Sequence, residues 1–155
     1  MTRKSMMLLA AGGSLALLLG AFVFQALGYA PCKLCIWQRW PHGLAIGAGI
    51  LVLITGPLLL WALAGALGAL TSAGLGVYHT GVEQGWWEGP STCSGGGGGL
   101  ANMTGAELLS LDAPVDIVMC DEVAWAFAGL SMASWNALFS FLLASLWFQA
   151  LSRDR

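Results

Sequence analysis

The fold of this chain is decided by the stretch 6–28, MMLLAAGGSLALLLGAFVFQALG, and by the segment 29–39 that follows it, YAPCKLCIWQR. The first stretch carries no charged residue and is long enough to cross a bilayer, which takes about 20 largely apolar residues. The second contains Cys32 and Cys35 as a Cys-x-x-Cys pair, directly after the apolar run. The sequence therefore predicts a dithiol at a membrane surface.

The composition of the whole chain supports a membrane protein. Of its 155 residues, 57% are hydrophobic and only 9% are charged, far from the values of a soluble globular domain. We predict a single all-α domain over residues 1–155, a bundle of four transmembrane helices with spans at about 6–28, 42–55, 57–77 and 132–150. A short loop, 29–41, and a long loop, 78–131, are predicted on one side of the membrane.

Details of the second and third spans follow from length and turn chemistry. Because 42–55 is short for a bilayer core, we expect its helix to begin upstream, with Ile36 and Trp37 included. Gly56 and Pro57 predict a tight turn before the third span, since proline is tolerated at a helix start and disruptive inside a helix. Small residues are expected to let the helices pack closely, namely Gly43, Gly47, Ala62, Gly65, Ala66 and Ala69.

The first span could also be interpreted as a cleaved signal peptide, because Arg3 and Lys4 precede it and a small-x-small pattern closes it at 28–30. Its apolar length exceeds the usual signal core of about 7 to 15 residues, and Pro31 would follow the cleavage point directly. We therefore predict a retained span.

The basic residues predict the topology. All six lie beside predicted spans: Arg3, Lys4, Lys33, Arg39, Arg153 and Arg155. The positive-inside rule puts both termini in the cytoplasm. With four spans, both loops then face the periplasm, an oxidising compartment in which disulfides persist. Seven of the eight acidic residues lie in 78–131, where we expect them to keep the loop solvated rather than to dock a basic partner.

The four cysteines are the candidate catalytic residues: Cys32, Cys35, Cys93 and Cys120. Five glycines at 95–99 predict that Cys93 is on a flexible tether, suited to thiol exchange with another protein. We predict no metal, because a structural zinc site usually has two closely spaced cysteine pairs and only one is present. Ile36 after Cys35 also rules out the covalent haem motif.

Three further side chains lie near the predicted membrane boundary. Arg39 follows Cys35 by four residues, so in a helix its guanidinium would share a face with the sulfur and favour a thiolate, or stabilise a reduced acceptor. His79, at the end of the third span, could donate a hydrogen bond or relay a proton, or could be an interfacial residue without a task. His42 is expected to be structural.

In these elements the chain resembles the DsbB family of quinone-dependent thiol oxidoreductases. The resemblance is carried by 31–39, PCKLCIWQR, by Tyr78-His79-Thr80, by the two loop cysteines, and by 129–135, GLSMASW, before the last span. It implies an enzyme of the bacterial inner membrane that reoxidises a periplasmic DsbA-like thioredoxin-fold protein and passes the electrons to ubiquinone or menaquinone. It involves no nucleic acid.

The resemblance also implies roles for individual residues. Cys93 and Cys120 would form the disulfide that accepts electrons from the partner, with Cys93 making the mixed disulfide. A transient bridge between Cys32 and Cys120 would pass them on, and Cys35 would deliver them to the quinone beside Arg39 and His79.

Two other functions remain as alternatives. A vitamin K epoxide reductase-like thiol/quinone oxidoreductase is also a four-helix bundle with two cysteine pairs, but there the loop cysteines precede the Cys-x-x-Cys. A noncatalytic membrane protein with structural disulfides is the other, and a disulfide between cysteines three apart would constrain little in such a protein.

Overall fold

The structure is a computed structural model that describes residues 1–90 and 118–152. These residues form a helical bundle. Four long helices make up the described part of the chain: α1 (Arg3–Ala26), α2 (Lys33–Thr55), α3 (Leu59–Glu83) and α4 (Met132–Ser152). A small antiparallel hairpin of β1 (Ala126–Phe127) and β2 (Leu130–Ser131) leads directly into α4. Helix α3 packs most extensively against α4 and α2, and α1 packs against α2 and α4.

Three of the described helices, α1, α3 and α4, are long and apolar enough to span a membrane, with mean hydropathies of 2.2, 1.6 and 1.2 over their best windows. Helix α2 is also long, at 23 residues. It begins at Lys33, upstream of Ile36 and Trp37, so much of the predicted loop 29–41 is helical and Pro41 lies inside the helix. The reason is local, because the Cys32 side chain caps the helix start there.

Helix α3 continues to Glu83, beyond the predicted span end at residue 77, so Tyr78 and His79 are helical. The ring of Trp87 stacks on that of Tyr78, and its Nε1 donates to the Tyr78 carbonyl at 2.8 Å. Gly85, with a φ of 68°, turns the chain back so that this contact forms. The end of α3 is therefore held by tertiary packing that the apolar run alone does not reveal.

The predicted turn between α2 and α3 is present. Gly56 has a φ of 87°, which favours glycine, and the Leu58 N–H donates to its carbonyl at 2.9 Å. Proline follows without a cost to either helix, because α3 begins two residues later at Leu59.

Small residues on α3 form the centre of the bundle. Ala62, Ala66 and Ala69 are buried, and a Cβ at Gly65 would collide with the ring of Trp147, which is itself fully buried. The prediction of close packing is wrong for Gly43 and Gly47, because a Cβ at either position would meet open space. These two glycines lie on α2 away from its neighbours.

Candidate functional site

The Cys-x-x-Cys pair lies at the start of α2. Cys32 and Cys35 are free thiols with their sulfurs 3.1 Å apart. Cys32 is the N-cap residue, and its sulfur accepts a hydrogen bond from the backbone N–H of Cys35 at 3.3 Å. A helix N-terminus carries partial positive charge, so this position favours an anionic sulfur.

The Cys32 thiol is acidic. Its pKa is lowered from 9.0 to about 4, first by the hydrogen bond from the Cys35 thiol and then by His79, against the opposing effect of burial. The reduced pair at neutral pH therefore carries one thiolate, on Cys32, and one proton, on Cys35. A thiolate is the reactive form in disulfide exchange.

His79 connects α3 to this sulfur. Its ring is buried, with Nε2 3.5 Å from the Cys32 sulfur and Nδ1 2.8 Å from the side-chain nitrogen of Gln38. Nε2 also lies 3.9 Å from a carboxylate oxygen of Glu83, one turn along the helix. His79 is thus in direct contact with a candidate catalytic cysteine, and its functional role stays a prediction.

Glu83 departs from the expectation that the acidic residues of 78–131 keep a loop solvated. It is the last residue of α3, its side chain is 5% exposed, and it accepts a short hydrogen bond from the hydroxyl of Ser131. The contact holds the end of α3 against the start of α4. The sequence did not single out this carboxylate, because its helix was expected to end earlier.

Cys120 lies beside the pair. It is fully buried and disulfide-bonded, and it packs in one cluster with Cys32, Leu34 and Val82. His79 makes a hydrogen-bond interaction with its backbone as well. Cys93 lies outside the described residues. Of the four candidate cysteines, three are therefore brought together around His79.

A cavity of about 450 Å³ opens next to these groups. Cys35, Arg39, His79 and Glu83 line it together with apolar residues of α1 and aromatic residues near the start of α4. Arg39 donates to the Gln25 side chain at 2.7 Å and lies over the ring of Phe22, with the ring centroid 4.9 Å away. Its Nε is buried and has no hydrogen-bond partner among the described residues.

A second set of polar side chains, which sequence reasoning missed or set aside, lies behind the cysteines. Asn136 of α4 donates to Gln38 at 2.7 Å and contacts His42 Nε2 through its oxygen at 2.9 Å. Ser72 of α3 lies 3.0 Å from the same His42 nitrogen. The signal was present in the sequence, since polar residues inside apolar spans are rare and usually have a function or a partner.

Metal binding has a geometric basis in the described residues. The sulfurs of Cys32 and Cys35 and a ring nitrogen of His79 lie within 4.8 Å of one another, which a metal ion could use. Thiolate and imidazole ligands suit zinc. The expectation that the site works without a metal stays a prediction.

Comparison with known proteins identifies the family. The family model described as DsbB, disulfide bond formation protein DsbB, matches residues 3–150, nearly the whole chain. No curated protein and no solved structure matches the chain. A membrane-spanning helical bundle with a reduced Cys-x-x-Cys pair and a neighbouring disulfide-bonded cysteine agrees with the match. The chain therefore belongs to the DsbB family, the disulfide bond formation proteins of the bacterial inner membrane.

Proposed function

We propose that this protein is a quinone-dependent disulfide oxidase that reoxidises a periplasmic DsbA-like thioredoxin-fold protein. The observation that carries the proposal is the position of the Cys-x-x-Cys pair between two surroundings. On one side Cys32 packs against the disulfide-bonded Cys120, and on the other Cys35 and Arg39 line one cavity. Electrons that enter through a protein disulfide can therefore leave to a small molecule.

The cavity fits a quinone by chemistry and by size. Its walls are largely apolar, it belongs to the range of small-molecule sites of about 300–1,000 Å³, and a few polar groups are placed on it. The guanidinium of Arg39 offers donors for a carbonyl oxygen, and Cys35 lines the same wall. A bound quinone, ubiquinone or menaquinone, would supply a two-electron, two-proton acceptor.

The entry of electrons begins at the loop disulfide, which we assign to Cys93 and Cys120. The dithiol of the partner would attack Cys93, form a mixed disulfide, and leave oxidised, with Cys93 and Cys120 reduced. The Cys32–Cys35 disulfide would then be reduced by this new dithiol through a Cys32–Cys120 bridge. Burial of Cys120 in one cluster with Cys32 supports this route.

The exit of electrons depends on the asymmetry of the Cys-x-x-Cys pair. Once reduced, the pair holds a thiolate on Cys32 and a proton on Cys35. Closing the disulfide again releases two electrons and the single proton of Cys35, so a second proton has to come from elsewhere. His79 and Glu83 line the same cavity and are the titratable groups nearest to it on α3.

The proposed topology follows the charges. Both termini would be cytoplasmic, α2 would be the fourth crossing beside α1, α3 and α4, and all cysteines would face the periplasm. In that orientation the cavity lies at the membrane boundary, where a lipid-soluble quinone and a water-soluble protein can both reach the cysteines.

The experiment is donor-driven quinone reduction by purified protein in detergent or lipid. We expect one quinone reduced for each partner disulfide formed, measured by quinone absorbance and by thiol titration of the partner. Quinone consumption without matching oxidation of the partner, or no consumption although the quinone binds, would contradict the proposal for that donor.

Replacing Arg39 by methionine should weaken quinone use. Loss of a charged hydrogen-bond donor typically costs about 1.5–3 kcal/mol, so we expect the KM for quinone to rise roughly 10- to 100-fold. Exchange between the loop cysteines and the partner should be unaffected, as judged by trapping of the mixed disulfide. Lys33→Met removes the same charge at the start of α2 and is the matched control. An unchanged KM in Arg39→Met would refute the role given to this guanidinium.

A further inference from the structure

The side-chain amide of Gln38 has only one orientation that satisfies its neighbours. Its nitrogen lies 3.3 Å from the backbone carbonyl of Leu34 and 2.8 Å from His79 Nδ1. A carbonyl oxygen can only accept, so the NH₂ group must face Leu34. The second hydrogen of that NH₂ then points at His79 Nδ1, which must accept it with a lone pair.

The opposite side of the amide gives the same orientation. The Gln38 oxygen accepts from the Asn136 NH₂ at 2.7 Å, and the same NH₂ also contacts the Ser72 hydroxyl at 3.1 Å. The Asn136 oxygen is thereby turned towards His42 Nε2, 2.9 Å away. Because that oxygen only accepts, His42 must carry a proton on Nε2. A chain of hydrogen bonds from α2 through α4 therefore determines which ring nitrogen is protonated in each of the two histidines.

We propose that Gln38 is a positioning residue that holds His79 in the tautomer protonated on Nε2, so that the ring donates to the Cys32 sulfur and does not act as its base. Nε2 is the ring atom 3.5 Å from that sulfur. A tautomer is set by the hydrogen bond at the other ring nitrogen, and here that bond is the donor of Gln38.

The surroundings of Cys32 are consistent with a donor role for the ring. Cys35 faces the sulfur from its own helix, His79 and Glu83 face it from α3, and the chain at Cys120 packs against it. Glu83 is the one carboxylate among these groups, and Cys32 has a coulombic interaction with it. A ring lone pair turned towards a thiolate would add repulsion, whereas an N–H stabilises the negative charge.

The consequence for thiol exchange rests on the function proposed above. A sulfur that holds negative charge well is a good leaving group. In the proposed relay, attack of Cys120 on Cys32 opens the Cys32–Cys35 disulfide and releases Cys35. Cys32 leaves in the next step, when Cys93 attacks Cys120 in the Cys32–Cys120 bridge and re-forms the Cys93–Cys120 disulfide. There His79 would stabilise the departing thiolate through Nε2–H.

The test is ¹⁵N NMR of protein labelled at histidine. The chain contains two histidines, so only two rings contribute signals. We expect both rings of the wild-type protein to show the pattern of a neutral ring protonated on Nε2. A wild-type His79 ring protonated on Nδ1 alone would overturn the inference without any mutant.

Two variants distinguish the NMR signals of His79 from those of His42. Gln38→Met keeps an unbranched side chain and removes the amide, so the His79 signals should move towards the average of the two tautomers. Asn136→Leu leaves the Gln38 contacts with Leu34 and His79 in place, so the His42 signals should move and those of His79 should not. Gln149→Met, the same substitution at an exposed site on α4, is the control. His79 signals unchanged in Gln38→Met would overturn the inference.

Alkylation of Cys32 by iodoacetamide gives a second measurement that is independent of quinone. In Gln38→Met, the pH at which the alkylation rate of Cys32 reaches half its maximum should rise by about one unit. This corresponds to a roughly tenfold loss of the Cys32 thiolate at acidic pH. An unchanged midpoint would contradict the donor role of His79. Failure of quinone reduction with the expected NMR pattern intact would instead count against the proposed function and not against the tautomer.

Discussion

Serine in place of Cys35 is expected to stop quinone reduction, with a loss on the order of 10³-fold or more, because among the described residues that line the cavity Cys35 is the cysteine that can close a disulfide with Cys32. Serine in place of Cys93 should block the reaction equally when the partner protein is the donor. The two variants should differ with a small dithiol such as dithiothreitol. It can reduce Cys32 and Cys35 directly, so the Cys93 variant should then regain activity and the Cys35 variant should not.

The controls for this comparison are quinone binding and helix content, which both variants should retain. A noncatalytic protein with structural disulfides would give a different result, in which the two substitutions change only the stability of the bundle. Full activity of Cys35→Ser would contradict the proposed electron relay. Full activity of Cys93→Ser with the partner protein as donor would show that the loop disulfide is not part of that relay.

Valine in place of Gly76 is expected to separate α3 from α4. A Cβ at this position would lie 2.9 Å from the Ala137 nitrogen and 3.0 Å from the Ala133 carbonyl oxygen. Backbone atoms cannot move aside as a flexible side chain can, so the helices have to part. Overpacking of this kind costs about 1–3 kcal/mol, and more when backbone is involved. The measurement is the free energy of unfolding in detergent.

Gly74→Val on the same helix is the matched control, because a Cβ there meets nothing within 4 Å. It carries the same change in helix propensity as Gly76→Val, which on its own would favour the helix slightly. Equal destabilisation of the two variants would mean that the added side chain itself, and not contact with α4, explains the effect. Gly76→Val should also lower activity, since Thr80, one turn later, is bonded to Ser134 across the same interface at 3.0 Å.

Sequence patterns captured what is local in this protein. The apolar runs predict helices, and the spacing of Cys32, Cys35 and Arg39 predicts a thiol pair with a nearby cation, because residues three or four apart share a helix face. The turn at Gly56 follows from the conformational preferences of glycine and proline. Each of these conclusions depends on neighbours within a few positions.

Contacts between residues that are far apart in the sequence could not be predicted from such local patterns. Gln38 contacts Asn136, which lies 98 positions further along the chain, and this pairing is what gives the amide its role. Glu83 became part of the site because Trp87 and Tyr78 pack on the end of α3 and the helix continues past the apolar run. Packing also decides which face of each helix points into the bundle. It places Gly65 against Trp147 at the centre and leaves Gly43 facing open space.

The cap at the start of α2 has a consequence for the reduction potential of the Cys32–Cys35 pair. The Cys32 sulfur accepts the Cys35 N–H, and only the reduced pair can put a full negative charge at that helix end. An anionic cap stabilises a helix by about 1 kcal/mol, and this stabilisation is lost when the sulfur enters a disulfide. Since 1.4 kcal/mol corresponds to about 30 mV for a two-electron couple, the cap alone raises the potential by about 20 mV. The helix thereby makes the pair a stronger oxidant of the cysteines that feed it, and leaves the quinone to supply the remaining driving force.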